Sequence, residues 1–127
     1  MKIEPYKKVG EVSLEVREGE LLRDLGDPNS KSTNSIGLVE FDFGSRVFRF
    51  DPSGALDEVT IESEVVELES ASIAFKYLAA RLKAEDAGVF EKYGFIVSPK
   101  FGLAFDPEHS PWVTVLTKKG LAAWQKV

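Results

Sequence analysis

Apolar and polar positions alternate most cleanly in GLVEFDF, where Val39, Phe41 and Phe43 are separated by Glu40 and Asp42. A period of two sends successive side chains to opposite faces, so this stretch predicts a strand with one apolar side. Gly44-Ser45 suits a two-residue hairpin turn. RVFRF follows, with Phe48 and Phe50 on one side and Arg49 on the other. Asp51-Pro52-Ser53-Gly54 predicts a second turn, because proline sets one backbone angle and glycine permits a positive one. The strand LDEVTIES (56–63) then returns, completing a three-stranded antiparallel meander.

The same reading extends along the chain. VGEVSL (9–14) predicts a short first strand. Leu21, Leu22 and Leu25 form a narrow helical stripe, ended by Gly26 and stopped by Pro28. NSKSTNS (29–35) is a polar loop, and EVVELE (64–69) either extends the preceding strand or connects it onwards. Ser70 is placed to cap a helix from about 71 to 87, with Ile73, Phe75, Tyr77, Leu78 and Leu82 as its apolar residues and Gly88 at its end. GFIVS, a Ser98-Pro99-Lys100 turn, FGLAF, a loop through Pro111 and WVTVLT predict a second meander. GLAAWQKV fits a short helix or a closing strand equally well.

FDPSGALDEVTI (50–61) and FDPEHSPWVTVL (105–116) place the same corner at the same point of each meander. A shared turn flanked by matched strands is the signature of a repeated unit, here spanning about 9–63 and 70–117. The expected fold is α+β in one domain, 1–127: an antiparallel sheet of about six to seven strands in two meanders, with two helices packed on one face.

Charge changes the picture by its position. The formal charge is −5, yet residues 50–75 contain seven acids and no lysine or arginine, so the acidity is local. Clustered basic residues, which phosphate neutralisation requires, are missing, and nucleic-acid binding is not expected. No apolar run approaches a membrane span, and the amino end lacks the apolar core of a secretory signal. With no cysteine either, a reducing, cytoplasmic location is expected.

Candidate chemistry is sparse. Asp51 and Asp106 could form a catalytic carboxylate pair only if the fold brought them together; an aspartate before proline ordinarily accepts bonds from its own turn. His109 is the only histidine, which does not supply the usual multi-histidine metal site. DPSGALDE has oxygens at 51, 53 and 57 but its glycine is misplaced for a calcium loop. Phosphate-binding glycine loops and nucleophile elbows are absent. No catalytic, cofactor or metal residue is therefore assigned. What remains is the acidic segment and the aromatics, with Asp57, Glu58, Glu62, Glu64 and Trp112 as candidate partner contacts.

The strand VGEVSL, the helix end LLRDLGDP, the polar loop and the hairpin GLVEFDFGSRVFRF together resemble one half of the beta-lactamase inhibitory protein family and the small lipoproteins of outer-membrane assembly. That resemblance implies a small helical unit on an antiparallel sheet, repeated in tandem. By composition the chain also resembles bacterial immunity proteins, which neutralise a toxin by covering its active surface. Taken with the acidic segment, the expectation is a non-enzymatic inhibitor, monomer or homodimer, that binds a basic toxin or enzyme stoichiometrically. The rival expectation is a small-ligand or peptide-binding module with an aromatic-lined pocket. A third, an enzyme, requires Asp51, Asp106 and His109 to converge.

Overall fold

The computed structural model describes residues 1–126. Three short strands open the chain, β1 (Lys2–Glu4), β2 (Lys8–Val9) and β3 (Val12–Ser13), followed by helix α1 (Glu18–Leu25). An antiparallel meander comes next: β4 (Ser30–Thr33), β5 (Val39–Asp42), β6 (Arg46–Phe50) and β7 (Leu56–Glu62). The hairpin of β8 (Val65–Leu68) and β9 (Ala71–Ala74) leads into α2 (Phe75–Glu85). A second meander, β10 (Phe90–Lys92), β11 (Phe95–Ser98), β12 (Leu103–Phe105) and β13 (Trp112–Leu116), precedes α3 (Lys118–Gln125).

The fold is α+β, but the described residues form two sheets, of five and eight strands, in place of the single sheet of six to seven strands expected. The larger sheet has the order β10-β11-β12-β13-β7-β6-β5-β4, so the meanders are fused through their last strands. At that seam β7 and β13 run antiparallel, with Trp112 opposite Glu62, Thr114 opposite Thr60 and Leu116 opposite Glu58. The smaller sheet, β3-β2-β1-β8-β9, is closed by a parallel pairing of β1 with β8. Residues 64–69 thus leave the first meander altogether. Ser63 turns the chain, its amide donating to Pro111 O and its hydroxyl to Val65 O, and the next strand pairs with the amino terminus.

The alternating phenylalanines behave as their spacing dictates. Phe41, Phe48 and Phe50 are fully buried, and Phe41 meets Phe50 edge-on with ring centroids 5.6 Å apart. They join Leu21 of α1, Phe75, Leu78 and Leu82 of α2, and Ile3, Val66 and Leu68 of the smaller sheet in the main core. The opposite face of the larger sheet has its own smaller cluster: Val97, Ala104, Leu116 and Leu121, packed with Tyr6, Phe90, Phe95 and Trp124. The helices therefore do not share one face; α1 and α2 serve the main core, and α3 covers the other side of β11–β13.

Local boundaries also shift. Residues 71–74, expected to begin the second helix, form β9, because exposed Ser72 and buried Ile73 alternate and pair with β8. Ser70 consequently caps nothing, and α2 starts from Ala74 with no side-chain cap. The polar loop contains β4, whose side chains are all exposed and which is held at the sheet edge by backbone bonds to β5. The carboxyl-terminal segment is helical: Thr117 Oγ1 accepts from Gly120 N at 3.0 Å, a standard N-cap. None of the helices in the described residues is long and apolar enough to cross a membrane.

Each Phe-Asp-Pro corner joins the third and fourth strands of its meander, so the two occupy matching places. Their surroundings differ. Asp51 is 4% exposed and accepts from Ser53 N, Ser53 Oγ and Ala55 N. Asp106 is half-buried and accepts from Glu108 N at 2.9 Å.

Candidate binding cleft

Strand alternation decides what the second face of the larger sheet presents. Along β7, Val59 and Ile61 enter the main core, leaving Glu58, Thr60 and Glu62 on the other side. The neighbouring strands add Arg49 from β6, Glu40 from β5, and Trp112 and Thr114 from β13. At the centre of the seam Thr60 Oγ1 and Thr114 Oγ1 lie 2.9 Å apart, hydrogen-bonded to one another. Arg49 organises the charged part. Its Nε donates to Glu40 at 2.6 Å, and one terminal nitrogen donates to Glu58 at 3.0 Å and to Thr60 Oγ1 at 2.5 Å.

Over this floor opens a cleft of about 360 Å³, lined by Arg49, Glu58, Thr60 and Thr114 below and by Phe95, Trp112 and Trp124 at the sides. Phe95 and Trp124 stack at 5.1 Å with their planes 39° apart. Asp106 and His109 stand at the rim, 3.8 Å from one another, with His109 largely exposed. Burial pushes the Glu58 carboxyl above the usual carboxylate range, against the opposing pull of Arg49 and of the Trp124 indole.

The five candidate contacts fall in different places. Glu58 and Trp112 both line the cleft. Glu62 is exposed and sits opposite Trp112 across the seam, and Glu64 is exposed beyond the end of β7. Asp57 is the correction. Between Arg49 and Phe50 the register slips, so that Glu58 and Leu56 have partners in β6 and Asp57 has none. This bulge turns Asp57 under α3, where it is 7% exposed and presents little surface to a partner.

There Lys119 pairs with Asp51 and lies 4.0 Å from Asp57, whose carboxyl is raised by burial. Asp51 therefore belongs to the α3 end of the seam and Asp106 to the Trp112 end, so the proposed carboxylate pair with His109 does not converge. Among the described residues no group of three or more histidine, aspartate or glutamate side chains is arranged to hold a metal ion.

Arg49, Thr60, Thr114 and Phe95 were not singled out from the sequence. The repeated Val-Thr at 59–60 and 113–114 was the available signal, since it places both threonines at equivalent points. Only the register of β7 against β13 reveals that they touch. Comparison with family models, with curated proteins and with solved structures finds no match to this chain.

Proposed function

We propose that the protein is a binding module, and that the cleft over the seam receives a compact organic ligand without transforming it. The observation carrying this reading is the convergence of Phe95, Trp112 and Trp124 on a floor of bonded threonines and an ordered Arg49–Glu58 pair. Apolar walls with a few fixed polar groups are the usual makeup of a small-ligand site, and about 360 Å³ lies within the customary size range. Trp112 and Trp124 are the only tryptophans, so ligand entry is directly observable. A fragment screen followed by indole NMR is the test. Hits should shift both indole signals and lose affinity in Trp112→Ala; hits that cluster elsewhere, with the indoles unmoved, overturn the reading.

A second reading keeps the inhibitor expectation. Glu62, Glu64, Glu67 and Glu69 are all exposed and none is in a salt bridge among the described residues, which favours encounter with a basic protein surface. Reversing the charge of Glu62 and Glu64 should then slow association with such a partner, a toxin domain included, and flatten its salt dependence. An association rate unaffected by that change would refute it. The matching places of the two corners favour descent of both meanders from one unit, and their differing bonds then record divergence. Either role suits a cysteine-free chain in a cytoplasmic setting.

A further inference from the structure

The cleft is electrically lopsided. Its one guanidinium, Arg49, faces two carboxylates, Glu40 and Glu58, and Asp106 adds a third at the rim beside His109. Nε and Nη1 of Arg49 are committed to those carboxylates and to Thr60, so its single positive charge is already outweighed by the two carboxylates it bonds. An anionic ligand would also meet Glu58 and Asp106 at close range.

The aromatic rings point the same way. Elsewhere in the molecule Phe41, Phe48, Tyr77, Tyr93, Phe101 and Tyr6 each carry a lysine or arginine over the ring, at 3.8–5.9 Å from the centroid. Among the described residues no such cation lies over Phe95, Trp112 or Trp124. Ring faces with their negative quadrupole, tryptophan above all, attract a desolvated cation, and a carboxylate beside them adds a counter-charge.

We infer that the cleft takes a small organic alkylammonium cation, its charged head seated among Phe95, Trp112 and Trp124 with Glu58 as counter-ion. This rests on the cleft being the binding site. The threonine floor leaves room for one hydroxyl or carbonyl on the ligand, since each hydroxyl can both donate and accept. A cation arriving beside Glu58 would add to the Arg49 charge that already offsets part of the cost of its burial.

The test compares choline with 3,3-dimethylbutan-1-ol, which has the same shape and no charge, by calorimetry and indole NMR on the whole chain. Choline should bind about tenfold more tightly, within the span that cation–π contacts produce. Glu58→Gln should remove most of that ratio, lowering choline's affinity far more than the neutral alcohol's. Equal affinity for the two probes overturns the charge assignment and leaves the binding-module reading intact. Indoles unmoved by either probe overturn both. A trimethyllysine peptide that binds more tightly than free choline overturns the small-molecule source, assigning the site to a basic protein side chain. Should Glu58→Gln unfold the chain, the ratio in the unaltered protein still decides.

Discussion

Gly120 lets α3 approach the seam more closely than any residue with a side chain could. Thr117 Oγ1 donates to Asp57 O at 2.7 Å and Thr117 N approaches the same oxygen at 3.2 Å, so the first turn of α3 straddles the bulged carbonyl of β7. A Cβ on Gly120 would sit 3.2 Å from the Asp57 carbonyl carbon and closer still to its oxygen. That atom belongs to a paired strand and has no rotamer by which to escape. In an open helix position, glycine to alanine gains about 1 kcal/mol. At Gly120 the sign should reverse.

Relief requires α3 to move off the sheet. It would surrender the Thr117–Asp57 bond, about 1 kcal/mol, and part of the burial of Leu121, a side chain worth about 1.5–3 kcal/mol when fully buried. Set against the propensity gain, Gly120→Ala should destabilise by about 1–3 kcal/mol, or lower the melting temperature by about 4–12 °C. Trp124 lies one helical turn further on and should redden in emission as it leaves Phe95. The control is Gly19→Ala in α1, where no heavy atom lies within 4 Å, and which should leave stability unchanged or raise it by up to about 1 kcal/mol. Urea and thermal melts of both variants suffice. A Gly120→Ala protein as stable as the parent, with unaltered Trp124 emission, would refute the close-approach argument.

Two further outcomes concern buried carboxylates. Asp86 accepts from Gly88 N at 2.8 Å, Ser98 Oγ at 2.7 Å and Lys100 N at 3.1 Å, tying the end of α2 to the β11–β12 turn; Asp86→Ala should cost about 2–4 kcal/mol in urea melts. Burial pushes its carboxyl up, but the Ser98 hydroxyl and those two amides outweigh it, so the net direction is down. Its stabilisation is present above the ordinary carboxylate range and disappears as pH falls through the lowered value, so Asp86→Ala should show a shallower acid limb. Glu58 carries the opposite sign: raised by burial, it binds its proton more readily when folded, and its charge costs stability as pH rises through the raised value. The stability advantage of the parent over Glu58→Gln should therefore grow from neutral to mildly acidic solution; a constant difference would show that Glu58 does not titrate abnormally.

What the sequence disclosed follows from the range of the forces involved. Phe41, Phe48 and Phe50 announce their strands because burying one face of a sheet writes itself locally as alternation. β4 leaves no such trace, since Ser30–Thr33 bury no side chain and are held by backbone bonds alone. β1 and β8 pair across more than sixty residues, as Lys2 opposite Glu67 shows, and no local pattern encodes that distance. Ser70 looks like a helix cap, but four residues of strand pairing outcompete the extra turn of helix it would start. The acidic run is divided for a similar reason: alternation and a bulge send Asp57 beneath α3 and Glu58 to Arg49, while Glu62, Glu64, Glu67 and Glu69 stay exposed.

The position of the cleft then follows from joining two meanders whose core faces agree and whose other faces do not. On the second face the first meander presents Glu40, Arg49, Glu58 and Thr60, while the second presents Val97, Ala104 and Leu116. The apolar half has to be covered, and α3 does so with Leu121 and Trp124. Extending that cover over the charged half would strip water from three ionised groups that compensate one another only in part, at a cost burial could not offset. The helix therefore starts at the seam and runs over the second meander only. Trp124 at its end and Trp112 at the start of β13 become walls, and the bonded threonines, placed where the two meanders meet, become the floor. A site built this way needs no loop to assemble it, because every residue that shapes its floor is fixed by the register of β6, β7 and β13.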